Sequence, residues 1–473
     1  MLRTLALTLI PWLLCAGAAA ADAPNYAVKF DGNTQNVTVK LCPTRAHTRI
    51  AFAADSAWAM RFVHDLAREQ PGTVESADGQ WIAADWRDDE CLHYRVDLGA
   101  IAQLHQPDVG WRLGEDLVTA PQLWLLRVVD EDTAAAMVRI ELPPDWSISA
   151  PWRELSRSGN SVVFNIPGTP PDWSAAVAIG KFREQPITLP GGMLRVSILH
   201  GANASQQAAL MIWLARVAHA ALSAYGRLPL PDVQVLVLPA EGHDEAVLFG
   251  QSTRGQGNAL NLLVDPSKTA AEFADDWMAV HELSHLMHPY LGDRGSWLAE
   301  GLATYYQNTL RARAGMLTPA QAWDRLAQGF RRGTAQTSDD ALEDIAANMH
   351  RTHAFQRVYW AGAAYWLTVD RDLRAMSSGK LSVELALARF RDCCLPAYGE
   401  WQAADFVTRL DALLGTEVFA ARYREFASMR QFPDWKKLYA DLGIDGSGEH
   451  LRFDNAARDA AIRDAITAPP REH

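Results

Sequence analysis

His281-Glu282-Leu283-Ser284-His285 constrains this chain more than any other short stretch, because its two histidines can act together only on an α-helix. Helical positions four apart stack on one face, so both imidazoles can reach the same point, while the residue after the first lies about 100° round the axis. The flanking sequence predicts that helix: Pro266 and Ser267 offer a stop and a cap, nothing from 269 to 288 is Gly or Pro, and Pro289 and Gly292 end the run. A second helix is predicted over 297–314 with Ser296 as its cap. The short turn containing Gly292 and Gly295 folds it back beside the first.

Two imidazoles four residues apart are a divalent-metal pair, and a catalytic zinc needs three protein ligands with a fourth position left for water. Glu300, near the start of the second helix, is the natural third ligand. His288 continues the same helix face, but three ligands along one straight helix cannot converge on one ion. The pattern that extends such a site downstream needs Gly at 288 and His or Asp at 291, where this chain has His288 and Leu291. His288 is therefore expected behind the ligands or at the helix end. Glu282 falls beside the ion rather than on it, where a carboxylate can act as general base. An exposed polar helix face is the bland alternative, and the second helix with its carboxylate argues against it.

His-Glu-Leu-Ser-His followed by Trp297-Leu298-Ala299-Glu300-Gly301 resembles the gluzincin metallopeptidases, whose third zinc ligand is the Glu of a Trp-x-x-Glu-Gly segment. Within that group the chain is most similar to the M61, glycyl aminopeptidase, family. Tyr359-Trp360-Ala361-Gly362 is similar to the family's Tyr-x-Lys-Gly helix, with Ala361 in place of the Lys, and Gly379-Lys380-Leu381-Ser382 to its Gly-Lys-x-Ser turn. The stretch 419–444 resembles the end of its helical domain. The resemblance implies one zinc ion per chain, a peptide or protein substrate, and a thermolysin-like α/β catalytic domain; the length leaves no room for the PDZ module many relatives carry. Relatives that act as aminopeptidases have a Gly-rich strand ending in Met-Glu-Asn or Leu-Glu-His, whose Glu holds the substrate's amine. The corresponding stretch, 255–261, has no Glu, which favours unblocked or internal peptide bonds over strict aminopeptidase action and leaves the choice between aminopeptidase and endopeptidase open.

Two further expectations concern the substrate. Asn258, Ala259, Leu260 and Asn261 begin an apolar stretch suited to a strand before the metal helix; as an edge strand it would pair with an extended peptide backbone, and as an inner strand it would only build the sheet. Tyr359 is expected to donate its phenol to the oxyanion of the transition state, against a packing role among Trp360, Tyr365 and Trp366, with His350 or His353 as fallback donors. Thr304, one turn beyond Glu300, can hydrogen-bond a ligand from behind or simply pack.

The chain has 473 residues, enough for two or three domains, and 44 basic against 56 acidic side chains give a net charge of −12. Its basic clusters are small and scattered, so a nucleic-acid partner finds no support. The expected class is α+β and multidomain. Short alternating segments such as 27–30, 37–41 and 137–142 predict an N-terminal antiparallel β-domain over 22–190, with the Pro190-Gly191-Gly192 segment as junction. A catalytic domain over 191–318, an α-helical domain over 319–446 and a loosely attached tail over 447–473 follow.

Residues 1–21 read as an export signal: Arg3, a short apolar run over 5–14, then small residues up to Ala21. That run is too short to span a bilayer, so no stable membrane insertion is expected and the mature chain is expected in the periplasm or secreted. Cys42 and Cys91 then fall in an oxidising compartment and are candidates to pair, while adjacent Cys393 and Cys394 can close a bond only with strain. Together these readings predict a zinc metallopeptidase. The alternatives are a catalytically silent gluzincin-fold binding or scaffold protein of the cell envelope, and a zinc hydrolase of a non-peptide amide; the sequence leaves the oligomeric state open.

Overall fold

The computed structural model describes residues 25–469 apart from 44–47, 55–56, 88–89, 107 and 130–134, so the expected export signal lies outside the described residues. Strict alternation builds the N-terminal domain: along Asn25–Asp31, Tyr26, Val28 and Phe30 point inward while their neighbours face solvent. That strand is central in a seven-stranded sheet, flanked by Asn36–Cys42 and Ala136–Glu141. The pairing with Ala136–Glu141 is parallel, an exception to the expected antiparallel pattern. Two four-stranded sheets complete the domain around its own apolar core. Cys42 is bonded to Cys91 inside it, and Cys393 is bonded to Cys394 in the helical region.

The next sheet carries the site. Its five strands lie in the order Glu184–Leu189, Gly192–Ile198, Asp232–Pro239, Ala259–Val264 and Val247–Thr253. The first two form an antiparallel hairpin, so the Pro190-Gly191-Gly192 segment is a turn inside the catalytic sheet rather than a domain junction, which falls before Glu184. Ala259–Val264 pairs with Asp232–Pro239 on one side and Val247–Thr253 on the other. It is an inner strand, and Val247–Thr253 is the edge.

Among the described residues one helix, Ala204–Tyr225, is long and apolar enough to cross a membrane by length and composition. It starts in a capping box between Asn203 and Gln206 and buries Leu210, Trp213, Leu214 and Val217 in the protein's core.

The predicted helix through the metal motif is broken into Ala270–Asp275 and Met278–His285. Asp276 is extended and its carboxylate, one residue ahead of the capping position at Trp277, accepts from the Met278 N–H at 2.8 Å. Met278–His285 is the metal helix. Ser296–Arg313, the carboxylate helix, returns beside it, with Gly295 rather than Ser296 in the capping position. Phe355–Ser377, the tyrosine helix, crosses the carboxylate helix where Gly301 meets Gly362. A Cβ on Gly362 would land on the Trp297 carbonyl oxygen and one on Gly301 on the Gly362 backbone, so these two glycines set how closely the helices carrying Glu300 and Tyr359 approach.

A buried ionic network fixes that crossing. Glu384 accepts from Arg313 at 2.5 Å and Arg374 at 2.7 Å, Arg374 also reaches Asp370, and Asp370 accepts from the Tyr305 hydroxyl at 3.0 Å. The catalytic sheet and the C-terminal helices share one apolar core that runs from Leu194 to Ile466. The segment expected as a loose tail belongs to it: Ala460–Thr467 is a docked helix, Ile466 is buried, and its carbonyl accepts from Arg313 Nε at 2.7 Å.

Candidate metal centre

His281, His285 and Glu300 converge. Their nearest donor atoms form a small triangle: 3.2 Å between the two histidine Nε2 atoms, 3.2 Å from His281 Nε2 to Glu300 Oε2, and 3.5 Å from His285 Nε2 to the same oxygen. A triangle of those sides has a circumscribed radius of about 1.9 Å, close to the ~2.0–2.2 Å bonds zinc makes to nitrogen and oxygen. The donor set therefore fits that ion.

The rings are held from behind. His281 Nδ1 donates to the Gln307 amide oxygen at 2.8 Å, which turns the unprotonated Nε2 toward the triangle. His288 Nδ1 donates to the Pro289 carbonyl at 2.7 Å, so its Nε2 is free to accept from His285 Nδ1 at 3.3 Å. His285 thereby presents its own Nε2 lone pair to the same point. His288 is buried and is the support of a ligand rather than a ligand. Burial, with Arg254 and His285 nearby, pushes its pKa well down and keeps it neutral. Glu300 is the converse: although burial opposes it, the two histidines hold its carboxylate far below the usual range.

Of its two expected roles, Thr304 does not take that of bonding a ligand. Its hydroxyl is buried with no partner among the described residues, and the bond to a ligand comes from Gln307, two turns beyond Glu300. Helix spacing puts 300, 304 and 307 on one face, so periodicity contained Gln307 as well. Gln307→Leu is expected to weaken zinc binding about 10- to 100-fold, read by competition with a coloured chelator; unchanged affinity would remove Gln307 from this role.

The edge strand stands over the metal helix. Gly250 lies against it so closely that a Cβ would fall 2.8 Å from Glu282 Cγ and 2.9 Å from Met278 Cγ. Ser252, two residues on and facing the same way, puts its hydroxyl 3.0 Å from Glu282 Oε2 and 2.5 Å from the Glu282 carbonyl. Beyond the strand end, Arg254 donates to the carbonyls of His285 at 2.5 Å and His288 at 3.2 Å, a cation at the helix C-terminus where the dipole favours one. Burial lowers its pKa to about 10, which leaves it charged at neutral pH. Gly250, Ser252 and Arg254 were all missed in the sequence, although their spacing of two is the signature of one strand face.

Asn258, Ala259, Leu260 and Asn261 are corrected. Ala259 and Leu260 are buried at 0% and 1% exposure, and both backbone edges of their strand are paired, so no peptide can add there. The free edge belongs to Val247–Thr253, which, like the stretch expected to hold an amine-binding Glu, contains no carboxylate.

Tyr359 comes to the centre. Its ring lies 6.0 Å from that of His281, nearly parallel to it, and burial together with Glu300 and Glu282 raises its pKa strongly, so the phenol stays protonated. Trp360, Tyr365 and Trp366 of the same helix are buried core residues. His350 and His353 are exposed and lie against Phe355.

The M61 glycyl aminopeptidase family model matches residues 279–363, the segment from the metal helix through Tyr359. Curated proteins give no significant match. Among solved structures, the chain is similar to an aminopeptidase N family protein from Idiomarina loihiensis at 13% identity and a TM-score of 0.67, covering 89% of this chain and 78% of that one. It is also similar to an M1 zinc metallopeptidase from Deinococcus radiodurans at 15% identity and a TM-score of 0.53, covering 88% and 94%. At such identities these two likenesses speak for the fold. The donor triangle and the family match together support a zinc metallopeptidase whose metal-centre segment is similar to that of the gluzincins. Within that class the chain is M61-like, its family match confined to the segment that carries the metal centre.

Proposed function

We propose that the protein cleaves peptide bonds in a substrate laid as an extended strand along the free edge of Val247–Thr253, with Glu282 as general base and Tyr359 as oxyanion donor. The observation that carries this reading is the placement of Glu282: adjacent in sequence to one ligand, outside the donor triangle, and tethered by Ser252 from the strand that would hold the substrate. His281, His285 and Glu300 would hold one zinc ion per chain, which when bound would supply a Lewis acid for the scissile carbonyl and for ionising water near neutral pH. Glu282 takes the water's proton and returns it to the leaving amine. Tyr359, kept protonated, donates to the carbonyl oxygen as it gains charge, a contact worth ~3 kcal/mol. The unpaired N–H and C=O groups of the edge strand bind the substrate backbone with little regard for sequence.

The same surroundings favour bonds inside a chain over removal of a terminal residue. The edge strand offers no carboxylate to an ammonium group, and Arg254 places a fixed positive charge where the strand ends. Export to the periplasm or medium through residues 1–21 completes the proposal. Its test is metal analysis of the purified protein combined with cleavage-site mapping on free and amino-terminally acetylated peptides. One zinc per chain and cleavage of both forms are expected. A zinc-loaded protein that cuts no peptide in a diverse digest would overturn the reading in favour of another amide substrate.

A further inference from the structure

We propose that the open cavity beside the metal centre is a specificity subsite for a neutral, hydrogen-bonding side chain of the substrate, an amide or a hydroxyl, seated on Thr304, Gln307 and Asn308 of the carboxylate helix. This rests on the peptidase reading above. The cavity measures about 670 Å³ and runs from Trp277, at the start of the metal helix, to Tyr359 and Trp360. Its size lies within the range of ligand sites, roughly 300–1,000 Å³.

Its floor is built. Residues 304, 307 and 308 share one helix face and are 1%, 8% and 2% exposed. Thr304 Oγ1 is a buried hydroxyl with no hydrogen-bond partner among the described residues. Gln307 commits its amide oxygen to His281, leaving its N–H groups uncommitted there, and Asn308 commits its amide nitrogen to the Thr304 carbonyl at 3.2 Å, leaving its oxygen. These donors and an acceptor belong to three residues that line the same cavity, and none of the three is charged. An apolar side chain would cover them without bonding, and a charged one would be desolvated on a neutral surface. A side chain that both donates and accepts satisfies all three. Three charged residues stand at the cavity wall and each is engaged, Arg325 by Asp275, Arg332 by the Gln356 amide oxygen and the Trp360 ring, and Asp324 by the Gln328 amide and the Gly448 N–H, so the uncommitted polar atoms of the floor are those of neutral side chains.

The test uses the full-length, zinc-loaded protein and matched peptides carrying Gln, Leu or Glu at one position beside the scissile bond. Mapping of a peptide digest should show Gln, Asn, Ser or Thr enriched at one fixed position, and kcat/KM for the Gln peptide should exceed that for Leu by about tenfold or more. Thr304→Val should collapse that ratio, and Thr304→Ser should restore it. Asn308→Leu provides the same test should the valine variant fold poorly. Preference for Leu or Glu at every position, or an unchanged ratio in a Thr304→Val protein with normal zinc content and melting, would overturn the proposal. Failure to cleave any peptide would count against the peptidase reading instead. In that event the Glu282→Gln protein still decides the subsite: equal affinity for Gln and Leu peptides would sink it.

Discussion

Glu282→Gln is expected to bind zinc as the parent does and to lose hydrolysis by roughly 10²- to 10⁴-fold, the worth of a positioned general base. The amide keeps the size of the carboxylate and can still meet Ser252, so the edge strand and the metal helix need not move. The donor triangle is untouched because Glu282 lies outside it. Zinc content by atomic emission and turnover of a mapped peptide are the two measurements. Full turnover with intact zinc would show that the proton is taken elsewhere, and loss of zinc would show that Glu282 supports the ligands.

The second large effect lies away from the chemistry. Glu384→Gln should destabilise the protein by about 3–5 kcal/mol, because it strands Arg313 in the interior without a counter-charge and leaves Arg374 with Asp370 alone. Chemical denaturation followed by tryptophan fluorescence reads it, and a change below about 1 kcal/mol would mean that water replaces the carboxylate. The network also gives an acid sensitivity. Glu384 titrates at about 2 in the folded protein against an ordinary value of 4.5, with the arginines overcoming the opposing effect of burial. A lowered carboxylate contributes stability that is complete above 4.5 and drains away as the pH falls toward 2. Asp370, raised by burial, has the opposite sign and softens the decline.

What the sequence disclosed and what it withheld divide along a physical line. His281, Glu282, His285 and Glu300 were legible because helix spacing alone puts the first three in relation, and one short turn with two glycines leaves little freedom for the fourth. Tyr359 required a resemblance, since periodicity treats it no differently from Trp360 or Tyr365. The strand assignment erred at 258–261 because a strand's place within a sheet depends on its neighbours. Ala259–Val264 and Val247–Thr253 are both short and apolar, and only their pairing separates inner from edge. Position 190 read as a junction because Pro and Gly mark hairpin turns and linkers alike. Gln307 and Arg254 act through long-range contacts to which composition is blind, whereas His288 was expected behind the ligands or at the helix end from its place on the helix.

The shared interior of the catalytic sheet and the C-terminal helices bears on how such a chain can be recombined. A breakpoint near residue 318 would cut through one continuous apolar mass and leave both fragments with raw, greasy flanks. A breakpoint just ahead of Glu184 would separate cores that each close mainly upon themselves, with a small cluster around Phe182 and Leu236 between them. The β-domain is thus the portion whose exchange would leave both interiors whole, provided its replacement offers acceptors such as the Ala150 and Trp152 carbonyls to buried Arg195, while hydrolytic machinery and helical bundle are inherited as one piece.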